Sequence, residues 1–364
     1  MLVLSNDELR IIIMSNCKEL GKKIDDHIQG LRGNTKSYIV PITEDRFSNG
    51  EGKVIINDTI RNKDVYIISD IGNHSIKYKM YGYENHMGPD EHFQDIKRVV
   101  SAIKGQASRI TVIMPLLYES RQHRRKGRES LDCALAIQEL QNLGVKVIIT
   151  FDVHDPNIQN ATPLFSFENF YPTHIILKDF VTKENLDYEN LLVVSPDTGA
   201  MERAIYYANM LKTDVGMFYK RRDLTKVVNG KNPVVQHEYL GKDVKDKNII
   251  IVDDMIASGG SMLEVAEELK RRGANKVYLI ATFAMFTSGL ESFNKAYKNK
   301  LFDKLYTTNL TYTNPQAFKM EWFNSVDCSM FVAKIINALN NHQSISPLID
   351  GKEEILKLIN SKKK

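Results

Sequence analysis

KNIIIVDDMIASGGSMLEVAEELKRRG, residues 247–273, is the stretch on which the fold turns. Ile249, Ile250, Ile251 and Val252 form an unbroken β-branched run, the pattern of a strand buried on both faces of a parallel sheet. Asp253 and Asp254 stand at its carboxyl end. The small residues Ala257, Ser258, Gly259, Gly260 and Ser261 predict a tight turn. From Met262 the apolar residues fall at helical spacing, through Val265, Ala266 and Leu269, until Gly273 stops the helix. The turn therefore feeds a helix N-terminus.

Glycines and serines in such a turn let backbone N–H groups approach an anion closely, and the helix dipole favours negative charge there. A phosphate is the natural guest. Two carboxylates just ahead of the cradle would repel a bare polyphosphate, but they suit a sugar phosphate, whose vicinal hydroxyls can donate to them. Read blandly, the same stretch is a strand, a turn and a helix with two solvated acids.

Working outward, 364 residues accommodate two domains of ordinary size, and 43% hydrophobic with 26% charged residues is the balance of a soluble globular protein. A net charge of +4 is too mild to argue for a nucleic-acid partner. Cys17, Cys133 and Cys328 are widely separated and odd in number, which excludes a disulfide framework and suits a reducing cytoplasm. The apolar patch at 11–14 is too short and too closely flanked by charge for a signal peptide or a membrane span, so a cytoplasmic location is expected.

The opening alternates strand and helix: a strand at 9–15, a helix at 19–31 and a second strand at 37–42 predict a doubly wound half. RFSNGEGKVII (46–56) reads as a turn entering a hairpin, and 65–69 as a buried strand. Residues 78–90, rich in Tyr, Gly, His and Asn, read as an inserted loop before a helix at 92–104. A strand at 110–115 leads into YESRQHRRKGRES (118–130), where Arg121, Arg124, Arg125, Lys126 and Arg128 crowd together after a strand end and call for an anion. A helix at 131–143 and a strand at 145–150 end in FDVHDP (151–156). The second half restarts with a strand at 191–194 and SPDTGAMERA (195–204), then a strand at 215–219 running into Lys220, Arg221 and Arg222 and a mobile loop at 223–232. After the opening motif come a strand at 277–282, a helix ending at 298, a strand at 305–307 and a final helix at 331–341.

Taken in order, RFSNGE, the basic loop, FDVHDP, SPDTGAMERA with KRRD, and VDDMIASGGS resemble the motifs of ribose-phosphate pyrophosphokinases over about 9–345. Type I phosphoribosyltransferases share the last motif alone. The resemblance implies an α/β fold of two phosphoribosyltransferase-like domains, each with a mainly parallel sheet flanked by helices. Residues 1–165 would form the ATP side, 166–345 the ribose 5-phosphate side and 346–364 a tail. It implies transfer of the β,γ-diphosphoryl group of ATP to the 1-hydroxyl of ribose 5-phosphate, releasing AMP, by a homo-oligomer built on dimers, a hexamer among its forms. A non-catalytic regulatory homologue and a type I phosphoribosyltransferase are the alternatives.

Carried onto this chain, Phe47, Asn49 and Glu51 would contact adenine across a subunit boundary, and Arg121 and Gln122 would bind ATP. His154 and Asp197 would sit with Mg²⁺, and Lys220 and Arg222 would reach the transferring phosphates. Asp253, Asp254 and the turn Ala257, Ser258, Gly259, Gly260 and Ser261 would hold ribose 5-phosphate. Such transfer is mostly positioning and cancellation of charge, for which cations and amides are the right groups. The chain departs from the family pattern in three places: Asn49 and His123 stand where an acid is usual, and the pair Ala257–Ser258 where aspartate-threonine is usual. His123 is expected to stack or hydrogen-bond near the nucleotide base.

Overall fold

The computed structural model describes residues 8–125, 127–222 and 234–362, and the side chains of 220–222 and 234–237 lie outside that description. Lys126 and the loop expected at 223–232 are likewise outside the described residues. Contacts divide the chain into two compact units. One is Met1–Pro172 with Asn309–Tyr312 and Asp327–Ile349, and the other is Thr173–Thr308 with Thr313–Val326 and Asp350–Lys364. The first unit thus runs past 165 and takes back two later segments, while the final residues join the second unit.

In chain order the first unit contains β1 (Leu9–Ile13), α1 (Lys18–Leu31), β2 (Ile42–Arg46), β3 (Gly52–Ile56), β4 (Asp64–Ile68), β5 (Lys77–Met80), β6 (Tyr83–His86), α2 (Pro89–Ile103), β7 (Arg109–Ile113), α3 (Asp132–Asn142), β8 (Val147–Phe151) and β9 (Ser166–Phe170). Strands β1, β4, β7, β8 and β9 pair in that order, all parallel. Such a sheet must be covered on both faces. Ile96, Val99 and Ile103 of α2 and Ile137 and Leu140 of α3 bury against Val65, Ile67, Val112 and Ile148. From far along the chain, Phe331 of the helix Ser329–Asn340 meets Phe151 and Phe170 edge-on at 6.0 and 6.3 Å.

Two expectations fail in this unit. Residues 37–42 are not a strand: a single parallel bridge joins Ile39 to Ile11, and Pro41, which has no N–H, ends the pairing before β2 begins at Ile42. Residues 78–90 are not a loop either, because β5 and β6 form an antiparallel hairpin around Tyr81 and Gly82. Both turn residues have positive φ, 49° and 82°, as a two-residue hairpin turn of the primed type requires. The helix then begins at Pro89, earlier than 92, with Glu91 Oε2 accepting from the Gly88 amide at 2.8 Å.

The second unit contains α4 (Thr173–Lys183), β10 (Leu191–Ser195), α5 (Met201–Leu211), β11 (Asp214–Arg222), β12 (Val234–Leu240), β13 (Asn248–Ile256), α6 (Gly260–Arg271), β14 (Val277–Ala284), α7 (Glu291–Lys298), β15 (Lys304–Thr308) and β16 (Phe323–Val326). Its seven strands pair in the order β12, β11, β10, β13, β14, β15, β16, and all but the edge strand β12 are parallel. Residues expected to be a tail form the helix Lys352–Lys362, which buries Ile355 and Ile359 with Phe180 of α4 and Tyr207 of α5. The α/β class, with two mainly parallel sheets flanked by helices, is as the sequence indicated. Among the described residues no helix is long and apolar enough to cross a membrane.

Two carboxylates tie the late segments into the first unit, Asp70 from a buried position and the exposed Asp327, whose Oδ2 accepts from Lys23 Nζ of α1 at 3.2 Å. Asp70, just past β4, accepts from Gly72 N, Thr311 Oγ1 and Tyr312 N at 3.0, 2.8 and 2.6 Å. Asp327 Oδ1 accepts from Ser329 N and Oγ and from Asn309 Nδ2 at 2.8, 2.6 and 2.8 Å. Burial would raise Asp327, but these donors hold it down at about 2. At Asp70 burial outweighs its three donors and pushes the carboxyl up to about 6. A carboxyl raised on folding contributes stability that is fully present below the unfolded value and lost as pH rises through the folded one, here about 6. Denaturant unfolding at pH 5 and pH 8 should therefore show the wild type losing on the order of 1.5 kcal/mol more than Asp70→Asn between the two, about half of the total loss, the rest having accrued between the unfolded carboxyl value and pH 5. A wild-type-minus-variant difference that is equal at the two pH values would refute this.

Candidate functional site

β13 is paired with β14 through Ile256 and Ala284 but with β10 only as far as Ile251 and Val194. The chain goes from β10 to β11 on one side and returns as β13 on the other, so the strand order reverses between β10 and β13. Ligands of open α/β sheets bind at the carboxyl ends of strands at such a reversal. The two strand-end segments that flank it are SPDTG and VDDMIASGG.

The acids belong to β13 itself, which continues to Ile256 rather than ending before them. Asp254 is buried and Asp253 is half-buried. Asp253 Oδ1 accepts from the Asp254 amide at 2.9 Å and lies 3.9 Å from Arg203 Nη1. Burial, and then the neighbouring Asp254 carboxylate, push the Asp253 carboxyl well above the ordinary range, while Arg203 pulls the other way. Sequence reasoning passed over Arg203. Its signal was legible: a cation in the first turn of a helix opposes the helix dipole, and α5 starts only at Met201.

Beyond the acids the turn is held from outside. Ile256 O accepts from Met285 N and Ala257 O from Thr287 N, both at 2.9 Å. Gly259 has φ +84°, and a Cβ added there would strike the Phe293 ring of α7, so glycine is required on two counts. Ser258, Gly260 and Ser261 are exposed where α6 begins, and the first-turn amides of a helix have no carbonyl within it to bond. The turn is thus a rigid amide cradle opening to solvent beside two carboxylates.

Asp197, in the turn between β10 and α5, is exposed. Its Oδ1 accepts from Gly199 N at 2.8 Å and Ala200 N at 3.2 Å, and Oδ2 has no partner among the described residues. Lys220 and Arg222 end β11, where the backbone pairs with β12 through His237 and Val234, and their side chains lie outside the described residues.

In the first unit Arg121 lies within a turn closed by Gln122 N donating to Glu119 O at 2.8 Å. Arg121, Arg124, Arg125 and Arg128 are exposed and form no ion pair among the described residues, as an anion-binding loop would require. Gln122 is half-buried. His154 is exposed at the end of β8, and the basic loop reaches it through His123, whose ring centroid is 5.3 Å away. Phe47, Asn49 and Glu51 sit at the tip of the β2–β3 hairpin. Phe47 is 52% exposed, and Asn49 Nδ2 donates to Glu51 Oε2 at 2.9 Å. The β5–β6 hairpin braces that tip, since Tyr81 N donates to Ser48 O at 2.7 Å.

Among the described residues no group of three or more His, Cys, Asp and Glu side chains could hold a metal ion alone. Mg²⁺ keeps several waters and is commonly bound through one or two protein groups and substrate phosphates. An exposed imidazole and a carboxylate with one open oxygen fit that role as single contacts.

Two family models match the chain: the N-terminal domain of ribose phosphate pyrophosphokinase over residues 9–144 and the phosphoribosyl transferase domain over residues 169–307. A ribose-phosphate pyrophosphokinase of Haemophilus ducreyi is 31% identical over 352 residues, 94% of this chain and 99% of that protein. The Shewanella oneidensis protein of the same name is 30% identical over 308 residues, covering 83% and 89%. In fold the chain is similar to the phosphoribosylpyrophosphate synthetase of Mycobacterium smegmatis, with a TM-score of 0.74 at 20% identity over 92% of this chain and 99% of that one. With five motifs in order, two phosphoribosyltransferase-like units and relatives matched nearly end to end, the chain belongs to the ribose-phosphate pyrophosphokinase family.

Proposed function

We propose that this chain is a ribose-phosphate diphosphokinase, transferring the β,γ-diphosphoryl group of ATP to the 1-hydroxyl of ribose 5-phosphate. The observation that carries the reading is the acid pair set directly before a glycine-serine cradle at the β10/β13 reversal. The cradle amides take the 5-phosphate, and Asp253 and Asp254 accept from the ribose hydroxyls. ATP is bound on the first unit: Arg121 and Gln122 hold it, and Phe47, Asn49 and Glu51 of a second copy meet its adenine. The 1-hydroxyl oxygen bonds to the β-phosphorus as the bond from that phosphorus to the α,β-bridging oxygen breaks. AMP leaves with that oxygen, and the hydroxyl proton passes to solvent. Lys220 and Arg222 meet the charge that spreads over the transferring group. Mg²⁺ held with the phosphates at His154 and Asp197 would supply further charge cancellation. The protein acts in the cytoplasm as a homo-oligomer built on dimers.

Purified protein given Mg²⁺, ATP and ribose 5-phosphate should release AMP in step with phosphoribosyl pyrophosphate. Ribose 5-phosphate binding without AMP release would mark a non-catalytic homologue instead. Asp253→Asn with Asp254→Asn should lower kcat/KM for ribose 5-phosphate by tenfold or more, since each lost charge-assisted bond costs about 1.5–3 kcal/mol. Unchanged ribose 5-phosphate kinetics in that variant would remove the acids from the site. Lys220→Ala and Arg222→Ala should depress kcat far more than they raise the KM for ATP. A raised KM at constant kcat would make these two residues recruiters of ATP. Gly259→Ala should lose about 2–4 kcal/mol of stability through its left-handed backbone and the collision with Phe293. Gly260→Ala is the control, because an added Cβ there meets nothing nearer than Ser258 Oγ at 3.9 Å. Equal melting of the two variants would show that Gly259 is not constrained.

A further inference from the structure

His123 stands where the family pattern has an acid, and it does not lie free in its loop. Arg121 and Arg124 on either side are exposed, whereas the His123 side chain is only 10% exposed. Its Nδ1 is 3.1 Å from Ser120 O and its Nε2 is 3.2 Å from Asp155 Oδ2, so each ring nitrogen faces an oxygen acceptor. The other oxygen of Asp155 accepts from Asn157 N at 2.9 Å, capping the short helical turn Pro156–Ala161. Asp155 is therefore held on both oxygens, one by its own backbone and one by the basic loop.

His154 is the residue between that point and a second fixed one. Asp152, buried with φ +43°, donates its amide to Phe170 O at 2.8 Å, and Val153 N donates to Asn169 Oδ1 at 3.1 Å. Both acceptors are on β9. The His154 ring is further packed against the ring of His123 at 5.3 Å, tilted by 56°.

We infer that His123 is a positioning residue: by gripping Asp155 it fixes the exposed His154 ring and joins the loop of Arg121 and Gln122 to the loop that bears His154. The inference rests on the proposed function where it assigns His154 to ATP and its metal. It also accounts for the departure from the family pattern. Here the carboxylate comes from Asp155 on the facing loop, so an acid at position 123 would meet a like charge.

The test uses three variants of the full chain. His123→Asp sets two carboxylates against each other and should raise both the KM for ATP and the Mg²⁺ requirement about tenfold, with the KM for ribose 5-phosphate unchanged. Adding Asp155→Asn keeps the carbonyl oxygen for the Asn157 amide and turns a donor toward position 123, so it should restore both values. His123→Gln, a neutral donor of similar reach, should stay close to wild type. The ring resonances of His154 in heteronuclear NMR of the ligand-free protein give a readout independent of turnover. They should move in His123→Asp and return in the double variant. Unmoved resonances in His123→Asp, or a shift that Asp155→Asn does not reverse, overturn the positioning role. If instead the resonances behave as expected while His154→Ala leaves the ATP and Mg²⁺ profiles unchanged, the assignment of His154 to the metal fails and the positioning role stands.

Discussion

A carboxylate pair at the end of a buried central strand is the constraint around which the second unit is arranged. Removing Asp253 and Asp254 from water is costly, and an unpaired buried charge does not survive without partners. The compensation is local. Asp253 accepts from the amide of its own neighbour, and one guanidinium stands 3.9 Å away, in a longer contact than a direct hydrogen bond. The carboxyl accordingly holds its proton to unusually high pH. A carboxyl shifted this far by its surroundings, at the carboxyl end of a sheet strand, is a mark of functional sites. The early end of β10, the helix that carries Arg203 and the braced turn after Ile256 all border the pair.

The first unit solves a different problem. Its five parallel strands expose two faces, and the connecting helices α2 and α3 cover one of them. Phe331 arrives from beyond residue 326 to pack on Phe151 and Phe170. Asp70 and Asp327 pin the returning segments with short hydrogen bonds instead of apolar area alone, and at Asp70 burial makes those bonds strong in the low-dielectric interior.

Legibility followed burial. Runs such as Ile249–Val252 and 65–68, covered on both faces, announce themselves by composition, and the acid pair and glycine turn stood out because such residues have few other uses after a buried strand. What stayed hidden depended on partners far away in the chain. β9 (Ser166–Phe170) has mixed polarity because it lies at a sheet edge, and the helix Lys352–Lys362 shows only Ile355, Leu358 and Ile359 as its apolar stripe. Tyr81 occupies a left-handed turn position where Asn or Gly would have signalled a hairpin. Asp155 was in view within a quoted motif, but its role comes from a three-dimensional pairing that spacing does not encode, whereas Arg203 was marked by its place in the first turn of a helix.

The return of 309–312 and 327–349 to the first unit bears on how the chain acquires its structure. Emerging from the ribosome amino end first, β1 to β9 are complete long before the helix Ser329–Asn340 exists. During that interval the aromatic face of the first sheet at Phe151 and Phe170 is bare, and a half-covered parallel sheet is prone to off-pathway association. Nascent chains of this protein are thus expected to depend on holding chaperones until synthesis has passed Asn340, and fragments cut between the units would leave each without part of its own core.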